Sequence, residues 1–178
     1  MRSAEHMGAD LSWTTDTPKP ILVLGLGNIL IQDEGIGVRV VERLVEHYQI
    51  PADVDVLDGG TAGLALYDDI VGRKHLVVVD AIDNRCEPGT LITLRGDEVP
   101  SFFRNKVSPH QMALSDILAA LEIMGEKPAE VVVIGIQPKD LGTGLEMSDL
   151  IGNQIDILVQ QVVDELRRLG YPTVTLAH

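Results

Sequence analysis

Cysteine is almost absent from this chain: Cys86 stands alone. That excludes an intrachain disulfide and a thiolate-rich metal centre, and it suits a reducing compartment. Aromatic residues make up only 3% of the chain, against a hydrophobic total of 45%. The core therefore has to be built from Val, Ile, Leu and Ala, as in a largely parallel sheet covered on both faces. Basic residues are few, 14 Lys and Arg against 27 Asp and Glu, for a formal charge of −13. Nucleic-acid binding is driven mainly by Lys and Arg releasing counterions from phosphates, so this balance argues against a nucleic-acid partner. Acidity by itself fits solubility, a cationic peptide or a metal. No apolar run approaches the ~18 residues of a membrane span, and residues 1–19 lack the apolar centre of a secretory signal. They read as a disordered leader before one domain over residues 20–170, with a tail at 171–178. The expected location is the cytoplasm.

What is present is an alternation of buried strands and amphipathic helices. Residues 21–25 form an apolar strand that stops at Gly25-Leu26-Gly27-Asn28. Val40, Val41, Leu44, Val45 and Tyr48 then recur at helical spacing on one face over residues 36–48, and Pro51 closes that helix. Residues 53–57 read as a second strand. Thr61 reads as the cap of a helix through Val71, with Leu64, Ile70 and Val71 inward and Gly72 ending it.

Residues 75–79 form a third strand ending in Asp80. Loop 81–89 is too short for a helical crossover, so residues 90–94 are expected to return as an antiparallel strand. Residues 95–109, with Pro100 and Pro109, read as irregular. Leu114, Ile117, Leu118, Leu121 and Met124 line one side of a helix over 111–124. Residues 131–136 are a last buried strand, followed by a Pro/Gly-rich loop 137–147 and a final helix over about 148–169. The class is α/β, one layered sandwich.

Three residues carry candidate chemistry. Glu34 follows the turn after the first strand, beside Asp33. Asp80 terminates the third strand. His110 opens a helix in Ser108-Pro109-His110-Gln111. In an open α/β sheet, side chains at the carboxyl ends of strands and at helix starts converge on one crevice. A glycine turn there normally cradles an anion, and two carboxylates would repel one. An imidazole and two carboxylates make a borderline ligand set suited to Ni²⁺ or Zn²⁺ with positions left for water or substrate. Each residue also has a structural reading: Glu34 as a favourable charge at a helix N-terminus, Asp80 as a loop cap, His110 as a polar helix start.

Competing motifs are incomplete. Gly25-x-Gly27 lacks the third glycine of a dinucleotide fingerprint, because Leu30 stands there. There is no phosphate-binding Gly-Lys-Ser/Thr, no His-Glu-x-x-His helix and no Gly-x-Ser-x-Gly elbow. Cys86 has no neighbouring His to activate it. Asp58-Gly59-Gly60-Thr61 reads either as a tight strand-to-helix turn or as a backbone platform presenting peptide groups to a substrate. An aspartic-protease pair of Asp58 and Asp80 sharing a proton is a further reading.

Taken in order, Gly25-Leu26-Gly27-Asn28, Asp33-Glu34-Gly35-Ile36-Gly37, Asp58-Gly59-Gly60-Thr61, Asp80-Ala81-Ile82-Asp83, Pro88-Gly89-Thr90 and Ser108-Pro109-His110-Gln111 run from residue 25 to residue 111, and the resemblance they carry covers roughly residues 20–170. This set resembles the nickel–iron hydrogenase maturation endopeptidases, and its Ser-Pro-His-Gln segment resembles the branch that serves uptake-type hydrogenases. The resemblance implies a twisted, mostly parallel five-stranded sheet between helices, and a hydrolase of the aspartyl protease family. It implies removal of a C-terminal extension from the hydrogenase large-subunit precursor after nickel insertion. The family's metal-binding Glu, Asp and His fall on Glu34, Asp80 and His110. The implied metal is nickel brought by the precursor, with zinc or another divalent ion able to occupy the same ligands in vitro. Two alternatives of other classes stand beside it: a metal-independent aspartic endopeptidase, and a non-catalytic nickel-sensing binding module.

Overall fold

The computed structural model describes residues 17–103, 109–171 and 175–176. The chain begins with β1 (Ile21–Leu26), buried at every position, and α1 (Ile36–His47). A short β2 (Tyr48–Gln49) leads to β3 (Val54–Gly60), and a single helical turn, α2 (Tyr67–Ile70), precedes β4 (His75–Ala81). Then follow β5 (Leu91–Arg95), α3 (Glu98–Phe103), α4 (Pro109–Met124) and β6 (Glu130–Ile136). The chain closes with α5 (Asp149–Gly152), α6 (Ile155–Arg168) and β7 (Thr175–Leu176).

Five strands form one sheet in the order β3-β1-β4-β6-β5, parallel throughout except for β5, which runs antiparallel to β6. Strand alternation splits the apolar residues into two layers. Ile21, Val23, Val77, Val79, Val132 and Ile134 face α1 and α6. Leu22, Leu24, Leu76, Val78, Val131 and Val133 face the opposite way, toward α4. Each fully buried aliphatic side chain contributes roughly 1.5–3 kcal/mol, so two such layers replace the aromatic core this composition lacks. The result is the three-layer α/β sandwich expected from the pattern of buried runs.

Two charge clusters close the edges. Asp55 on β3 meets Lys19 at 2.8 Å and Arg73 at 2.5 Å. Burial alone would raise its carboxyl, and the two cations outweigh that and hold it below its ordinary value. On the far edge the buried Glu165 of α6 takes Arg95 at 2.6 Å and Arg168 at 2.6 Å, and Arg168 also reaches Glu130. Here too burial works upward on the Glu165 carboxyl and the arginines prevail, lowering it.

The structure departs from the sequence reading at several places. Residues 95–109 are not wholly irregular, since α3 occupies Glu98–Phe103; its Pro100 lies in the first turn, where a missing N–H costs nothing. The segment after β3 is a 3-10 turn at Gly63–Leu66 and then α2, and no side-chain hydrogen bond caps either one; Thr61 is exposed. Leu64 is 64% exposed, not inward, and Val45 and Met124 likewise face solvent at 51% and 59%. The final helix is divided at Asn153-Gln154 into α5 and α6. Within the tail, Thr175–Leu176 pairs antiparallel with Tyr48–Gln49, a second, two-stranded sheet that short range pattern does not reveal. Most of the expected leader lies outside the described residues, as does Ser108.

Candidate functional site at the head of β1 and β4

The chain leaves β1 toward β3 on one side and then crosses to β4 on the other, so the connections diverge at the boundary between β1 and β4. Ligand sites of open α/β sheets sit at such a switch point, outside the carboxyl ends of the strands. The turn after β1 is built to bring a helix start tightly against that point. Gly27 holds φ +128°, and its N–H donates to the Gly60 carbonyl at 3.0 Å. A Cβ on Gly27 would overlap the Glu34 carbonyl oxygen, and one on Gly37 would overlap the carbonyls of Leu26 and Val79. Only with hydrogen at both places can the 3-10 turn Gln32–Gly35 and the start of α1 lie on the ends of β1 and β4. The turn that carries the half-buried Glu34 is thereby held against Gly27, and the start of α1 against Val79, the residue before Asp80.

Asp80 is the penultimate residue of β4 and is fully buried. Its Oδ2 accepts a hydrogen bond from Gln111 Nε2 at 2.7 Å, and the same amide group donates to the Ala81 carbonyl at 3.0 Å. Gln111, itself buried, stands in the first turn of α4, directly after His110. The backbone of His110 is therefore fastened to the same corner. Its side chain lies outside the described residues.

Asp33 turns out to have a different role from its neighbour. It is fully buried and accepts four hydrogen bonds: Lys139 N–H at 3.0 Å, Asp140 N–H at 2.7 Å, Ser148 N–H at 2.8 Å and Ser148 Oγ at 3.0 Å. This carboxylate is a clasp for the loop between β6 and α5.

The Asp58–Asp80 pair does not form. Gly25 of β1 lies in register with Asp58 on one side and Val79 on the other, so the two strands are about 10 Å apart across β1. Asp58 shares its sheet face with Val79, whereas Asp80, one residue on, points to the opposite face. Asp58 is exposed and Asp80 buried. Gly59 packs on Leu24 and Leu26, and Gly60, at φ +44°, supplies the carbonyl that anchors Gly27. Asp58, Gly59 and Gly60 are thus the end of β3 and not the tight turn expected from sequence; they support the turn after β1, with Asp58 and Thr61 left at the surface of the same sheet end.

Sequence reading missed two organising glutamines. Gln111 carried no assigned role, although its place directly after His110 was visible. Gln137 follows β6 and is 6% exposed. Its Oε1 accepts from the N–H groups of Asn84 at 2.8 Å and Cys86 at 3.1 Å, and its Nε2 donates to Asp83 at 3.1 Å. It shapes the loop beyond Asp80. Cys86 in that loop is exposed, with its thiol near the Asn84 carbonyl.

Among the described residues no three His, Cys, Asp or Glu side chains form a metal-sized cluster. Glu34 and Asp80 lie at this end of the sheet, and His110 is a residue of the first turn of α4. That combination fits a borderline divalent ion. No described helix is long and apolar enough to cross a membrane.

Comparison with known proteins identifies the family. A family model described as hydrogenase maturation protease (HycI) matches residues 38–165. The hydrogenase 2 maturation protease of Escherichia coli K12 is 44% identical over 155 residues, covering 86% of this chain and 94% of that protein. The hydrogenase expression/formation protein HupD of Rhizobium leguminosarum bv. viciae is 47% identical over 156 residues, 86% of this chain and 77% of its own. The solved structure of the hydrogenase maturating endopeptidase HybD from E. coli superposes with a TM-score of 0.83 at 44% identity, over 88% of this chain and 95% of that one. The [NiFe] hydrogenase maturation protease HybD from Thermococcus kodakarensis does so with a TM-score of 0.67 at 30% identity, over 82% and 97%. The chain belongs to the hydrogenase maturation protease family.

Proposed function

We propose that this protease removes the C-terminal extension of a nickel–iron hydrogenase large-subunit precursor, and that it does so in the cytoplasm once nickel is in place. The observation that carries the reading is the corner itself: Asp80, buried and held by Gln111, ends the strand next to β1, whose following turn carries Glu34, and Gln111 directly follows His110 in α4. Nickel is the precursor's, part of the substrate. Glu34, Asp80 and His110 take hold of it, which brings the scissile peptide bond against the ends of β1 and β4. The Asp58-Gly59-Gly60-Thr61 end of β3, exposed at Asp58 and Thr61, offers peptide groups along which the substrate chain lies. A water then attacks the scissile carbonyl while a carboxylate at the corner accepts its proton. As the C–N bond breaks, the departing nitrogen takes a proton and the extension is released.

This arrangement gives a physical reason for cleavage to wait for metal insertion. Without nickel the three ligands have nothing to bind, and the scissile bond is not presented. The test is to incubate nickel-loaded precursor with Glu34→Gln, Asp80→Asn and His110→Ala variants and follow release of the C-terminal peptide by mass. Each variant is expected to slow release strongly while keeping a cooperative thermal transition. Normal processing by all three would remove this corner from the reaction.

A further inference from the structure

Asp33 sits next to Glu34 in the same 3-10 turn, yet its carboxylate turns away from solvent into the loop between β6 and α5. All four of its hydrogen-bond donors come from that loop, from residues 139, 140 and 148. The backbone adds further ties between the same two segments. Asp33 N–H donates to the Asp140 carbonyl at 3.1 Å, Gln32 N–H to Gly144 at 2.9 Å, and Gly144 N–H returns to Leu30 at 2.9 Å. Ile31 and Gly144 form an isolated parallel bridge, and Gln32 is held at a positive φ of 29°. Gly142 and Gly144 leave room for the Gln32 side chain. The turn that carries Glu34 and the loop 137–148 are thus a single hydrogen-bonded unit, and Asp33 is its buried node.

A buried carboxylate is tolerated only when its desolvation is offset by donors, and charge-assisted bonds to backbone N–H groups are the strong, short kind. Neither segment has a strand or long helix of its own to fix it. We propose that Asp33 is a positioning residue: it couples loop 137–148 to the 3-10 turn, so that the place of Glu34 relative to Asp80 is set by that loop as well as by β1. Asp33 does not itself touch the substrate. The catalytic part of this inference rests on the protease reading above, and the coupling part does not.

Hydrogen exchange and cleavage kinetics on the full chain separate the two. In Asp33→Asn, one amide NH₂ faces donors where a carboxylate oxygen stood. Amides of residues 28–36 and 138–148 are expected to exchange about tenfold faster or more than in wild type, with β4 and β6 unchanged. With nickel-loaded precursor, kcat is expected to fall about tenfold or more with KM changed little, the signature of a displaced catalytic group. Ser148→Ala, which removes one of the four donors, should move both readouts the same way by a smaller factor, and the double variant should be no worse than Asp33→Asn alone. Should Asp33→Asn not fold, Ser148→Ala carries the decision by itself. Faster exchange confined to 138–148, with residues 28–36 and kcat unchanged, would overturn the proposal. If wild type leaves the precursor whole, the protease reading falls, and the exchange comparison still decides the coupling.

Discussion

Gln111 Nε2 donates to Asp80 Oδ2 at 2.7 Å. One bond therefore joins the end of β4 to the helix start that carries His110. Because the same amide also reaches the Ala81 carbonyl, the last two residues of β4 and the first turn of α4 are aligned as one edge.

Replacing Gln111 with Leu keeps the volume and removes both bonds. A buried acceptor that loses its donor costs about 1–3 kcal/mol, so the denaturant midpoint should fall by a corresponding amount. Cleavage should fall further than stability does, because Asp80 and the His110 segment lose their common anchor. Wild-type kcat in a folded Gln111→Leu variant would show that this bond serves the fold alone.

Gly27→Ala is expected to damage both stability and activity. The residue would have to keep φ near +128° and admit a Cβ where the Glu34 carbonyl stands. Strain of this kind amounts to about 1–3 kcal/mol before the clash is added. Urea unfolding measures the loss. An alanine variant as stable as wild type would mean that the turn relaxes in a way this geometry does not provide.

His110→Ala discriminates between mechanisms. If the imidazole helps hold nickel, the variant should process nickel-loaded precursor far more slowly while melting at the wild-type temperature. A metal-independent aspartic endopeptidase would keep its rate. That alternative has already lost the Asp58–Asp80 pair, since β1 lies between the two strands.

Stability should depend on pH through Glu165. Its folded carboxyl is held below the ordinary value of 4.5 by Arg95 and Arg168. The contribution is therefore complete above 4.5 and is lost as pH falls below it through the folded value. Breaking a fully buried pair costs 3–5 kcal/mol, but both arginines are over 40% exposed, so about 2 kcal/mol is expected here. Glu165→Gln should lower stability at neutral pH by about that amount and flatten the acid limb. An unchanged acid limb would assign acid unfolding to other carboxylates.

The sheet was legible because buried parallel strands are written as unbroken apolar runs. Residues 76–79 and 131–136 are such runs, and the nine-residue link between Ala81 and Leu91 forced β5 to turn back. Helix faces were legible only in part. Periodicity places Val45 and Met124 on an apolar stripe, yet among the described residues no neighbouring element covers them. At the site, Glu34 and Asp80 could be found because each follows a strand end. Asp33 could not be told from Glu34 by any local rule. Its partners lie more than 100 residues away in the sequence, and only the folded sheet brings β6 beside the turn. The same holds for Gln111, whose acceptor is 31 residues earlier.

In the proposed function this corner reads the nickel of its substrate before the peptide bond is cut. The most direct measurement is the intact mass of purified large-subunit precursor, loaded with nickel or left without it, after incubation with the wild-type protease. Loss of a C-terminal peptide from the loaded form alone is the predicted result. Equal cleavage of both forms would contradict nickel recognition, and cleavage of neither would contradict the protease reading in favour of a binding module.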